Sequence, residues 1–314
     1  MKDKLHSVLL PLSLALGIAI YLVLHYAPGL DDSAYLSVAR FIQPIVVGLM
    51  LFIQLNVLSP SEMKFHCWHW WLLGVQALLF ALLVVAAILI PPGTARILVE
   101  CGILCIICPT AAAASVMTAR IGGSLPSVVT YLVLSDAMAC VLIPLMIPIV
   151  HPAEGITFFS ALWAVAKKVF SILALPCLLA WFIRYHLPSV QRWIARYVDA
   201  AFYVWCFSLT LAMSLATSAL VDSRIGVLGA LGIALVSLLC CVGQYLFGRL
   251  AVKRRGPVQA ITAGQAMGQK NTGFIIWCAY NFMTPVTSVA GGLYAIWQNL
   301  INSWELSRYS RNNV

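Results

Sequence analysis

An all-α membrane protein of ten transmembrane helices, arranged as two inverted repeats of five, is the fold class this sequence predicts. Three observations predict it: a composition too apolar for water, ten apolar stretches of spanning length, and two polar breaks at corresponding places in the two halves. Of 314 residues, 62% are hydrophobic and 9% charged, where a soluble domain carries about 25% charged residues to cover its surface. Lipid must therefore be the solvent for most of the surface.

Turn residues and charges divide the chain into spans at approximately 8–27, 35–58, 68–90, 97–118, 125–149, 160–184, 197–220, 225–249, 257–280 and 285–304. The breaks include Pro28-Gly29 with Asp31-Asp32, Ser59-Pro60-Ser61-Glu62, Pro91-Pro92-Gly93, His151-Pro152 and Lys253 to Pro257. The first stretch is longer than a signal-peptide core and has no small-residue cleavage site after it, so it reads as a retained helix. The boundary near Thr284-Pro285 is the least marked, and 187–196 reads as a short interfacial helix.

The net charge of +9 is a topology signal. With the N-terminus inside, the cytoplasmic side holds Lys2, Lys4, Lys64, Arg120, Arg184, Arg192, Arg196, Arg249, Lys253, Arg254, Arg255, Arg308 and Arg311. The outer side holds only Arg40, Arg96, Lys167, Lys168 and Arg224. This is the positive-inside bias, and it predicts a multi-pass protein of the cytoplasmic (inner) membrane with both termini inside. A nucleic-acid partner drops out, because the basic residues are scattered and not gathered on one face. The cysteines, Cys101, Cys105, Cys108, Cys140, Cys177, Cys240 and Cys241 among them, lie in apolar stretches and read as small hydrophobes. No metal is expected. His66-Cys67-Trp68-His69 reads as an interfacial aromatic belt at a helix start.

The chain reads as one transporter unit, with 1–150 as the first inverted repeat and 151–314 as the second. Inverted repeats of this kind place their site near the midplane, at discontinuous helices. The fourth helix carries Cys108-Pro109-Thr110 and then Ala111 to Ser115; the ninth carries Thr262 to Gly273, with Gln265, Gln269, Lys270, Asn271 and Thr272. Close packing explains the Ala and Gly content. It does not explain the amides and the lysine, which are costly in lipid unless they line a site.

At these segments the sequence resembles the bile acid:sodium symporter family, as a divergent bacterial-type member. The family's Cys-Pro, small-polar run and Val-Met-Thr matches Cys108-Pro109-Thr110 through Ser115, Val116-Met117-Thr118. Its Glu-x-Gly-x-Gln-Asn stretch aligns with Ala266 to Gly273, and a late aromatic-x-x-Trp-His-Asn pattern is similar to Tyr294-Ala295-Ile296-Trp297-Gln298-Asn299. The resemblance implies a panel domain and a core domain, two unwound helices (4 and 9) crossing in the core, and sodium beside the crossing. It also puts Gln76 where the family often has a sodium-ligating Gln. The departures matter more. The family's sodium-ligating Glu becomes Ala266 and its Gln becomes Lys270, while its Ser-Asn pair becomes Ala114-Ser115. A second register keeps Gln269 as the family Gln.

Asp136 and Lys270 each lie roughly 18–20 Å into helices that start on the cytoplasmic side, at ~1.5 Å per residue, near the midplane of a core ~30 Å thick. Intramembrane charges usually pair. The expectation is therefore a Lys270–Asp136 ion pair replacing sodium, with proton coupling through Lys270. Thr110, Ser115, Asp136, Gln265, Gln269, Lys270, Asn271, Thr272 and Asn299 are the candidate site residues; Gln54, Asn56 and Gln76 are candidate cavity-lining residues. Glu100 reads as an i,i+4 partner of Arg96. The function these features imply is secondary transport of a small organic anion, bile-acid-like or another carboxylate, by a monomer in the bilayer with no cofactor. The alternatives are a conventional sodium:organic anion symporter, a channel or a substrate-sensing receptor. No nucleophile–base set, metal motif or phosphate loop points to an enzyme.

Overall fold

The computed structural model describes residues 2–27, 29–56, 60–152, 155–197, 200–223 and 225–312, and side chains within them except at 2–8, 10, 201 and 310–312. Pro28, residues 57–59, Arg224 and the side chains of Lys2, Lys4 and Arg311 lie outside the described residues. What is described is almost wholly helical. In chain order the helices are α1 Lys2–Tyr26, α2 Asp32–Leu55, α3 Cys67–Leu89, α4 Thr94–Ile107, α5 Ala113–Arg120, α6 Leu125–Val150 and α7 Phe158–His186. They continue as α8 Pro188–Ala195, α9 Ala200–Val221, α10 Gly226–Val252, α11 Pro257–Gly268, α12 Thr272–Phe282 and α13 Ser288–Asn312.

Among the described residues six stretches are long and apolar enough to cross a membrane: Asp32–Leu55, Cys67–Leu89, Leu125–Val150, Phe158–His186, Phe202–Val221 and Gly226–Arg255. Their outward faces carry apolar side chains such as Leu82, Leu89, Phe159, Leu228 and Leu239, all more than half exposed. That pattern suits lipid and not water, so this is a membrane-embedded protein by composition and surface alike.

Local chemistry fixes the helix ends. Asp31 caps α2 by accepting from the Ser33 amide at 2.9 Å, and Thr157 caps α7 by accepting from the Ser160 amide at 3.3 Å. Gly256, at φ +97, turns the chain into Pro257 at the start of α11, where a missing amide hydrogen costs nothing. The stretch 187–196 contains the eight-residue α8, which buries no side chain. At the unmarked boundary, α12 stops at Phe282, a 3-10 turn spans Pro285–Thr287, and α13 runs on to Asn312, beyond the expected end at 304.

Two sets of helices pack side by side. In one, α1 lies against α9, and α2 against both α7 and α9. In the other, α3 packs on α4 and α6, while α10 packs on α4, α11 and α13. Small residues allow the closest approaches: a Cβ on Gly17 would sit 2.3 Å from the Thr210 carbonyl oxygen, and one on Gly248 2.4 Å from that of Ala263. The sets meet where α6 packs along α7, where α12 packs on α2 and α9, and where α13 packs on α9.

Candidate functional site

The two broken helices cross. Pro109 disfavours helical backbone at the residue before it, and Cys108 takes ψ 134 as α4 ends. The α11 helix ends likewise at Gln269, with ψ 101. The freed segments then run antiparallel, Thr110 opposite Lys270. The Ala111 amide donates to the Gln269 carbonyl at 2.8 Å, and the Asn271 amide to that of Pro109 at 2.9 Å. Each break thus satisfies the backbone groups that the other exposes, which the membrane interior requires.

Side chains complete the count. The Thr110 amide donates to Ser135 Oγ on α6, and the Lys270 amide to Gln298 Oε1 on α13, both at 3.0 Å. Thr110 Oγ1 donates to the Ala266 carbonyl at 2.6 Å, and Tyr294 Oη to that of Gly268 at 2.7 Å. Gln76 Nε2 donates to the Ile106 carbonyl at 2.7 Å and accepts from Tyr131 Oη at 3.0 Å. On α10, Gln244 Nε2 reaches the Cys105 carbonyl at 3.0 Å and Tyr294 Oη at 3.2 Å. An internal correspondence emerges: Ser135 on α6 and Gln298 on α13 each hold the amide of one break, and the same spacing sets Tyr131 and Asp136 around the first as Tyr294 and Asn299 around the second.

Beside the crossing lies a small cleft, walled by Val47, Met50 and Leu51 of α2, by Trp205, Ser208 and Leu209 of α9, and by Ala111–Ala113 and Lys270–Gly273 of the breaks. The N-terminal ends of α5 and α12 both border it, and helix N-termini carry partial positive charge. Asn271 caps α12, its Oδ1 accepting from the Phe274 amide at 3.1 Å. Gly273 is where α2 comes closest: a Cβ there would lie 2.8 Å from Gln43 Nε2.

Lys270 and Asp136 do not form the expected ion pair. Lys270 is fully buried and Asp136 only 3% exposed, yet neither Lys270 Nζ nor either Asp136 carboxylate oxygen has a hydrogen-bond partner among the described residues. Both lie within electrostatic reach of Cys108, but beyond it their neighbours differ: Cys105 and Cys240 beside Lys270, Cys140 and Cys177 of α7 beside Asp136. Depth along the helix was the same for both residues, but depth does not fix the direction a side chain takes around the helix.

The other expected residues divide. Thr110, Gln269, Asn271 and Thr272 sit at the crossing, and both polar atoms of the buried Gln269 side chain are without partners among the described residues. Ser115 Oγ donates to the Ala112 carbonyl at 2.7 Å and accepts from Gln54 Nε2, tying α2 to α5. Gln265 points away, to Glu305 Oε2 at 2.7 Å and Asn302 Oδ1 at 3.1 Å. Asn56 ends α2: its side chain bonds the Phe52 carbonyl, and its own carbonyl accepts from Arg184 and Gln191. Asn299 Nδ2 donates to the Ala295 carbonyl one turn back, at 2.8 Å. Glu100 takes Arg96 at 3.3 Å, as expected, and also His151 at 3.1 Å. His69 of the aromatic start of α3 bonds Ser127 Oγ at 3.0 Å and accepts from the His66 amide at 3.1 Å.

The reading from sequence missed Ser135, Tyr131, Gln244 and Trp205. A signal for the first two was present, in the repeated spacing Tyr131-x-x-x-Ser135-Asp136 and Tyr294-x-x-x-Gln298-Asn299. No protein-family model matches the chain, and no curated protein matches it.

Proposed function

We propose that this protein is a secondary transporter of a small organic anion, built as ten transmembrane helices in two inverted repeats, 1–150 and 151–314. The observation that carries the reading is the crossing itself. Two interrupted helices present two helix N-termini to one cleft between the two helix sets, with the buried Lys270 in its wall. Positive ends without counter-charge suit a carboxylate. The inverted repeat is supported by neighbour relations that recur on exchange of the halves: α1 with α9 as α7 with α2, α3 with α4 as α10 with α11, and α6 with α3 and α5 as α13 with α10 and α12. The resemblance to bile acid:sodium symporters accords with this arrangement and adds the panel and core roles of the two sets.

In the N-inside orientation, Arg40 bonds Tyr280 and lies 4.3 Å from its ring centre, and Lys168 lies 5.4 Å from that of Phe282. Both contacts tie the panel to the outer end of α12, which suits a form closed to the outside. Sodium is unsupported as the coupling ion, because Ala266 offers no carboxylate and Lys270 brings a fixed positive charge close to the family's sodium position. The protein acts as a carrier in this reading, not as an enzyme, channel or receptor.

Thermal-shift screening of small carboxylates on the purified protein, with and without sodium, tests it. At least one carboxylate is expected to raise the melting temperature, by the same amount in sodium and in potassium buffer. Stabilisation that appears only with sodium would restore the conventional symporter.

A further inference from the structure

We infer that Asp136 is a proton-binding site in the membrane interior, and that the proton it carries is the coupling ion of the transporter. The inference rests on the transport reading above and adds the coupling ion and its residue. The buried carboxyl group of Asp136 finds neither a donor nor a cation among the described residues. Intramembrane carboxyl groups are rare and mark ion and proton paths. An ionised carboxylate without a partner is expensive in such surroundings, and a bound proton removes the charge.

The groups around it leave this role open. Of the elements packed on α6, α7 offers the Cys177 thiol and α4 the Cys108 thiol, and α6 itself adds Cys140. On α3 the titratable side chain that touches α6 is His69, bonded to Ser127, more than two helical turns from Asp136 along α6. Among the described residues α5 carries only Arg120, at its end, and α11 carries no titratable side chain. Lys270, which follows α11, shares Cys108 with Asp136 as a neighbour, and neither charged end is hydrogen-bonded among the described residues.

The internal correspondence supplies the control. Asn299 occupies in α13 the place of Asp136 in α6, and its Nδ2 donates to the carbonyl four residues back. A protonated Asp136 is neutral, as is the amide at the corresponding place in α13. Asp136 also follows directly on Ser135, whose hydroxyl holds the Thr110 amide at the crossing. Gain or loss of the proton therefore acts next to the group that fixes the first break. The step is a simple proton transfer: water on one side of the membrane gives the proton to the carboxylate, and the carboxyl group returns it to water on the other.

Infrared difference spectroscopy on the purified protein in lipid reads the proton directly. At neutral pH the wild type is expected to show the C=O band of a buried protonated carboxyl group, absent from Asp136→Asn and restored in Asp136→Glu. Glu100 and Glu305 are also buried, so the difference between wild type and Asp136→Asn is what counts. An unchanged band in Asp136→Asn would overturn the inference. In proteoliposomes, with radiolabelled pyruvate and cholate as probes, Asp136→Asn should lose the accumulation driven by a proton gradient. Gradient-driven accumulation at the wild-type level would overturn it too. Absence of any uptake by the wild type, with the band present and lost in Asp136→Asn, would keep the proton site and reject the transport reading.

Discussion

Lys270→Met is expected to weaken binding of the most stabilising carboxylate by about thirty-fold while raising thermal stability. The first effect follows from the charge: a buried ammonium near the cleft at an effective dielectric of ~20 contributes about 2 kcal/mol. The second follows from the absence of a partner. Lys270 Nζ is buried with no hydrogen bond among the described residues, and an unpaired buried charge destabilises the fold that holds it. Methionine keeps most of the length and removes the charge. Melting curves and carboxylate titrations on the same preparation check both signs. A lower melting temperature with unchanged binding would make Lys270 a structural residue.

Gly268→Ala should cost about 1–3 kcal/mol, the range for overpacking a filled interior. An added Cβ would stand 2.3 Å from the Tyr245 ring, and that ring is itself buried. Neither side yields easily, because Tyr245 Oη donates to Asn302 Oδ1 at 3.3 Å and the Gly268 carbonyl accepts from Tyr294. The strain falls at the end of α11, one residue before the crossing, so transport should fall with stability. Thermal unfolding in detergent measures the first loss, and Gly268→Ala/Tyr245→Leu should recover part of it. A single variant that melts with the wild type would contradict this packing of α10 on α11.

Helix positions were legible because lipid imposes a simple rule on composition, and every expected stretch coincides with one helix or one interrupted helix. The interruptions were legible for a related reason. Pro109 and the run from Gly264 to Gly273 cannot continue an apolar helix without leaving polar groups in lipid, and those are the places where α4 and α11 end. The partnership of Lys270 and Asp136 was not legible. A sequence gives depth along a helix, but which neighbour a side chain meets depends on rotation and crossing angle. Gln265 shows the same limit: its position suggested the site, and its amide turns to Glu305 and Asn302. Gln76 was singled out through the resemblance, and its observed bonds hold the end of α4 to α3 and α6.

Counterflow in sodium-free proteoliposomes tests the central claim most directly. Vesicles loaded with an unlabelled carboxylate that stabilises the protein should draw in the same labelled carboxylate transiently above its equilibrium level, with saturation as its outside concentration rises. That overshoot requires a binding site that alternates between the two sides. Uptake that rises without saturation and never overshoots would contradict the account, since a channel would then explain the cleft and a carrier would not.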